Sequence, residues 1–160
     1  EMTSSLVGSE MCIRDRYRRD FLLDNQLYFK KGIYFEDVQM LPRVFLRAKK
    51  ITCIDGTFYH YIIRENSIMT SQKDEKKKND SIQNLKEWKE QFDLVDDVDL
   101  KKCLYGMLVK MYIHECRQYG ITTKEIEGMD ARFILRNSLN YRERLKATMW
   151  LCFPMLLIKQ

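Results

Sequence analysis

Beyond Ser71 the apolar residues fall into a helical rhythm and keep it, and that change limits the fold more than any other feature of the chain. Ile82, Leu85, Trp88, Phe92 and Val95 form one stripe, and Leu100, Leu104, Met107, Leu108 and Met111 form a second. Gly120 is placed to end the second helix. A third helix is expected from about Thr123 to Ser138, with Ile126, Met129 and Phe133 as its inner face. Methionine and aromatic stripes at this spacing build a core rather than a cofactor pocket. Lys73 to Asp80 is densely charged and reads as a helix start or a linker. Residues 72–160 are therefore expected to form a helical bundle.

A chain of 160 residues is long enough for one domain with its own core. Its 45% hydrophobic and 32% charged residues belong to the soluble, globular class. The net charge of +5 is modest, with Lys and Arg spread among acidic residues. That pattern argues against a nucleic-acid-binding arm but is compatible with contact with an anionic membrane. Cys12, Cys53, Cys103, Cys116 and Cys152 form no CxxC or other paired spacing, and there are two histidines. No zinc site can be read from such a set, and a reduced, cytoplasmic setting is the default expectation. Cys103 and Cys116 read as buried thiols, not nucleophiles.

Upstream of the helical half, Tyr17 to Asn25 reads as a short helix with Phe21 and Leu22 inward. Asn25 is its expected stop, since Asn tolerates the left-handed conformation. Gly32 is a turn point before Tyr34-Phe35-Glu36-Asp37. Val38, Leu41, Phe45 and Ala48 then share one helical face, which puts Glu36 and Asp37 at or near a helix N-terminus. The dipole and the unpaired N–H groups there favour carboxylates, so the pair can simply cap the helix. The sharper reading is an ionised carboxylate held rigidly at the lip of a cleft, as a general base, but from the local pattern alone capping is the default. Pro42 lies inside this helix and is expected to loosen its first turns. Lys50 to Asp55 alternates, Asp55-Gly56 signals a tight turn, and Thr57 to Ile63 follows as a second strand, so a small β-hairpin is expected. A polar loop from Arg64 to Ser71 follows it.

The last helix, Tyr141 to Gln160, has Arg142, Arg144 and Lys146 ahead of an apolar run, Ala147 to Ile158. That run is shorter than the roughly 20 residues needed to span a bilayer. Basic residues followed by Trp, Phe and Leu suit a helix lying at a membrane interface. The same pattern also suits a helix docked on the domain. Asp97-Val98-Asp99 has the spacing by which two carboxylates can hold a divalent ion, but its place between two helical stripes points to capping. His60, in a strand, reads as structural or simply polar, and His114 has no visible partner.

One ordered series carries more weight than any of these motifs. It runs Tyr17-Arg18-Arg19-Asp20-Phe21, then Gly32-Ile33-Tyr34-Phe35-Glu36-Asp37, then Arg47-Ala48-Lys49-Lys50-Ile51, then Phe58-Tyr59-His60-Tyr61 with Arg64-Glu65-Asn66-Ser67-Ile68. This series resembles the second half of family 2 glycosyltransferases with the GT-A fold, particularly bacterial enzymes of surface and capsular polysaccharide assembly. The resemblance covers about residues 17–71. It implies a predominantly α-helical α+β fold, in which a small hairpin and the acceptor-side helices of a truncated GT-A domain precede the helical extension.

The resemblance also implies roles. Asp37 would be the catalytic base that takes the proton from the acceptor hydroxyl, with inversion in a single displacement. Glu36 would position the acceptor or Asp37. Arg64 and Ser67 would sit on a mobile loop closing over the donor diphosphate, and Tyr59 and Tyr61 would brace that loop or line the sugar site. The implied ligands are a nucleotide-sugar donor, a lipid-linked or surface glycan acceptor, and Mn²⁺ or Mg²⁺ in the intact parent, acting at the cytoplasmic face of the cell membrane. No nucleic acid is expected as a partner, and residues 141–160 are left with two readings, peripheral membrane contact and docking on the domain. The alternative, from another class, is a non-catalytic helical interaction module, peripheral on membrane, whose Glu36-Asp37 only caps.

This chain departs from the family pattern in having no nucleotide-binding half with a strand-borne DxD. Asp97-Val98-Asp99 lies on the wrong side of the acidic pair to replace it, so the fragment is expected to bind no metal and to lack activity alone. Residues 1–16 have no clear period, and Leu6 to Arg16 resembles the translation of a transposase-type sequencing adapter. The expectation is a non-native segment joined to a natural sequence that starts at Tyr17.

Overall fold

The computed structural model describes residues 15–52, 60, 62, 74–122 and 124–153. Six helices lie among them: α1 (Arg19–Asp24), α2 (Glu36–Phe45), α3 (Glu75–Asp93), α4 (Val98–Tyr119), α5 (Ala131–Asn137) and α6 (Tyr141–Cys152). Four of these begin at a short polar side chain that accepts a hydrogen bond from a first-turn N–H. Asp74 accepts from Lys77, Asp97 from Leu100, Asp130 from Phe133 and Asn140 from Glu143. Asp97-Val98-Asp99 is thus a helix start, as its setting predicts.

The long helices α3 and α4 form an antiparallel hairpin around which the rest is packed. Near the link between them, Asp93 accepts from Lys89 at 2.7 Å and from the Tyr105 hydroxyl at 2.6 Å. At the far end the Ser81 hydroxyl donates to Glu115 at 2.7 Å. Ile82, Leu85, Trp88 and Phe92 are buried from α3, and Leu104, Leu108 and Met111 from α4. The second stripe is wider than the sequence pattern suggested. Val109, Tyr112, Ile113 and Cys116 are buried too, because α5, α6 and the segment before α5 cover the other side of α4. Leu100, in the first turn of α4, is exposed.

The structure departs from the sequence pattern at several points. The third helix is only α5. Gly128 takes a φ of +76° and Asp130 caps α5 by accepting from Phe133 N–H, so 124–130 lies ahead of the helix, although Ile126 and Met129 are buried as expected. Asn25 stands at the end of α1 with a φ of −95°, and Gln26, at +52°, is the left-handed residue. Leu27 N–H then donates to Leu22 C=O and Gln26 N–H to Leu23 C=O, a Schellman closure whose apolar contact joins Leu22 to Leu27. Cys103 is exposed, whereas Cys116 is buried as expected. No strand occurs among the described residues. The expected hairpin lies almost wholly outside them, and of its two strands only Lys50, Ile51, Thr52, His60 and Ile62 are described.

Helix α2 is shared between two apolar clusters. Val38 and Leu41 join the main core with α3, while Met40 and Val44 pack with Leu27, Phe21 and Leu22. Pro42 does not loosen the helix, which runs unbroken from Glu36 to Phe45. Its missing N–H leaves the Val38 carbonyl without a helical donor. The buried Trp88 indole supplies one instead, at 2.9 Å.

Candidate functional site

The acidic pair occupies the first two positions of α2, as its sequence context predicts. The residue before it does not follow the pattern of the four side-chain-capped helix starts. Phe35 is the N-cap, has no capping side chain, and takes φ +58° and ψ +43°. A bulky residue in the left-handed region carries strain of about 1–3 kcal/mol and persists only where its surroundings over-determine it.

The surroundings here are a polar row on α3. Lys76, Asp80, Asn84 and Glu87 stand one helical turn apart and grip the chain that leads into α2. Lys76 Nζ donates to Gly32 O at 2.9 Å and to Asp80 Oδ2 at 2.7 Å. The same Asp80 oxygen accepts from Tyr34 N–H at 2.9 Å. Asn84, fully buried, donates to both Tyr34 O and Phe35 O, at 3.2 and 3.0 Å. Glu87 takes Lys30 Nζ at 2.6 Å and Gln39 Nε2 at 2.8 Å. The Lys76 ammonium also lies 4.6 Å from the centre of the Tyr34 ring. Burial alone would raise the carboxyls of Asp80 and Glu87, but the lysines and donors around them hold both below their usual range.

Asp37 sits on this frame, half-buried, and Glu36 beside it is exposed. Asp37 Oδ1 accepts from Val38 N–H at 2.8 Å, satisfying one of the amides that a helix start leaves without a partner. Its own backbone N–H is a second donor to the carboxylate. Burial pushes the Asp37 carboxyl above its ordinary value; the Val38 N–H opposes that shift, and the charge of Glu36 adds to it. The result is a half-buried carboxylate, tethered by the Val38 N–H and with a raised proton affinity. Such a group can accept a proton from a hydroxyl brought within hydrogen-bond reach.

Of the other residues implied by the family resemblance, Tyr59, Tyr61, Arg64 and Ser67 lie outside the described residues. Among the described residues no three His, Cys, Asp or Glu side chains are placed to hold a metal ion, and Asp97 is engaged as a cap. His60 is exposed. His114, which has no partner apparent in the sequence, lies 3.9 Å from Glu115. The gripping row was missed by sequence reasoning. Its signal is Lys76, Asp80 and Asn84 at intervals of four, on a helix that otherwise shows its apolar stripe. No helix among the described residues is long and apolar enough to cross a membrane. Comparison of the chain with protein-family models, curated proteins and solved structures finds no match.

Proposed function

We propose that the chain is the acceptor-side part of an inverting glycosyltransferase of the family 2 type, with Asp37 as its general base. One observation carries this reading: a half-buried carboxylate of raised proton affinity stands on a strained, clamped helix start. Strained backbone held in place from outside clusters at active sites. The ordered series from Tyr17 to Ile68 is the second support.

In the proposed step the acceptor hydroxyl gives its proton to Asp37 as its oxygen attacks the anomeric carbon of the donor sugar. The new C–O bond forms on the face opposite the diphosphate. The old C–O bond breaks with its electron pair leaving on the nucleoside diphosphate, so the anomeric configuration inverts. Carboxylate strength suits the task, because the base needs to be ionised before attack and to hold the proton afterwards. Glu36, exposed at the first helical position, is available to hydrogen-bond the acceptor's other hydroxyls. The roles of Arg64 and Ser67 on the diphosphate, and of Tyr59 and Tyr61 around the sugar, rest on the resemblance alone. Mn²⁺ or Mg²⁺ belongs to the donor half of such enzymes; the described residues do not fit it, and no step here passes through it. The reading places the parent's activity at the cytoplasmic face of the membrane, on a lipid-linked or surface glycan, and expects this chain alone to be inactive.

The test is Asp37→Asn in a full-length transferase carrying this segment. Asn keeps the bond to Val38 N–H and cannot take the proton. Transfer should fall by at least about 100-fold, the usual contribution of a positioned base, while nucleotide-sugar binding survives. Undiminished transfer rejects Asp37 as the base.

The bond from Val38 N–H to Asp37 favours a second reading, in which the pair only caps α2 within a non-catalytic helical module. Under it Asp37→Asn is silent in every functional assay, and Asp37→Ala costs stability alone.

A further inference from the structure

Helix α6 has two apolar faces, and only one of them is used by the domain. Ala147 and Trp150 are buried, with the Trp150 ring edge-on to Tyr112 at 5.9 Å. This settles that the helix docks on α4. At 100° per residue, Tyr141, Leu145, Met149 and Phe153 fall on the opposite side as a single ridge of i, i+4 neighbours. They are 79%, 49%, 41% and 61% exposed. A ridge from Tyr141 to Phe153 is about 18 Å long at 1.5 Å per residue.

Cations border that ridge on both sides. Arg142 and Lys146 lie along one flank and Arg144 along the other, all exposed. Lys146 pairs with Glu143 at 3.1 Å, whereas Arg142 and Arg144 make no ion pair among the described residues. An outward apolar ridge between two cationic edges is a poor water-facing surface and a good match for a planar anionic one.

We infer that this face of α6 is a docking surface for an anionic lipid bilayer. Tyr141, Leu145, Met149 and Phe153 would enter the boundary between headgroups and acyl chains, and Arg142, Arg144 and Lys146 would meet lipid phosphates on either side. A bilayer reaches both cationic flanks at once, because its headgroups extend laterally past the helix. A second copy of the chain does not fit, since pairing two such faces would bring arginines of one against arginines of the other. The inference is independent of what Asp37 does. It places α6 with its inner face on α4 and its outer face on the membrane, so the rest of the domain would stand above the lipid with a fixed side toward it.

The test is co-sedimentation of the 160-residue chain with vesicles of phosphatidylglycerol and, separately, of phosphatidylcholine. Binding to the anionic vesicles, weakened by salt and much weaker on the zwitterionic ones, is expected. Leu145→Asp with Met149→Asp should abolish it. Arg142→Gln with Arg144→Gln should lower it by about 30-fold, near fivefold for each cation removed. All four positions are exposed, and unchanged helical circular dichroism verifies that the variants fold. Absence of binding to phosphatidylglycerol at low salt overturns the inference. So does binding that the Leu145/Met149 variant retains, which would move the contact off this face. Self-association that this variant abolishes, without vesicle binding, would assign the ridge to a second copy and also overturn it.

Discussion

The indole N–H of Trp88 donates to the carbonyl of Val38, and the presence of Pro42 four residues further on is what leaves that carbonyl to be taken. Proline lacks the N–H that would close the turn. A buried carbonyl without a partner would cost about 1–3 kcal/mol. One hydrogen bond thus repairs α2 and ties it to α3 just beyond the acidic pair. Trp88→Phe removes the donor and should destabilise the domain by at least that amount, since a cavity is added. Pro42→Ala restores a helical N–H at position 42, so the cost of Trp88→Phe should be smaller in that background. Urea unfolding of the four variants gives the coupling directly. Additive losses would show that Val38 C=O does not depend on Trp88.

Phe35 offers a test whose sign runs against ordinary expectation. Outside special positions glycine is less stable than alanine in a folded chain, by roughly 0.5–1 kcal/mol. Phe35 has a φ of +58°, where a Cβ is penalised and glycine is not. Both Phe35→Gly and Phe35→Ala lose the ring's packing against the core. Phe35→Gly should therefore unfold at higher urea than Phe35→Ala, by the equivalent of about 1 kcal/mol. The reverse order would mean that the left-handed turn relaxes when the ring is removed.

Much of the helical half was legible in the sequence because its helices bury continuous faces at the expected spacing, Ile82-Leu85-Trp88-Phe92 being the plainest. The misread third helix shows the limit of that signal. Ile126, Met129 and Phe133 keep a helical spacing and all pack inward, yet Gly128 and the Asp130 cap break the backbone between them. Periodicity reports which side chains point to the core, not whether the chain between them is helical. The acidic pair was legible as a helix start for a local reason, the apolar face that follows it. Its frame was not. Asp80 and Asn84 reach residues 46 and 49–50 positions away, and such polar residues read, in sequence, as a solvated face.

Gly106 marks a close approach that no pattern announces. A Cβ there would collide with the Leu139 side chain and lie 3.1 Å from Asn137 O, at the end of α5. Gly106→Ala gains helix propensity within α4, worth about 1 kcal/mol. Overpacking costs typically 1–3 kcal/mol. The net effect should be a lower melting temperature, and Leu139→Ala should remove most of the loss by freeing the space. A stabilised Gly106→Ala would show that the α4–α5 contact yields easily.

The thiols should divide by burial. Cys103 and Cys152 are exposed, while Cys116 is buried, and burial pushes its thiol up to about 12, with the Tyr112 contact opposing. Thiolate is the reactive form. Brief maleimide labelling of the folded chain should modify Cys103 and Cys152 and spare Cys116 until denaturant is added, as read by peptide mass spectrometry. Early labelling of Cys116 would indicate that α4 opens readily from the core.

The pH dependence of stability separates Asp37 from the carboxylates that frame it. Asp80, Glu87 and Asp93 have folded pKa values below their ordinary ones, so each adds stability that is present above the unfolded pKa and lost as pH falls through the folded one. Asp37 has the opposite sign. Its pKa is raised by burial and by Glu36, so the folded state holds the proton more tightly than the unfolded state. Ionising it costs stability, and that cost sets in as pH rises through the window between its unfolded and folded pKa values. Asp37→Asn keeps the bond to Val38 N–H and removes the buried charge. It should stabilise the chain at neutral pH, and the gain should vanish well below the usual carboxylate pKa of about 4, where Asp37 is protonated in both states. Asp80→Asn should do the reverse, with a loss at neutral pH that fades in acid. Urea unfolding across pH measures both variants, and an Asp37→Asn chain less stable than the parent at neutral pH would leave capping as the sole role of that residue.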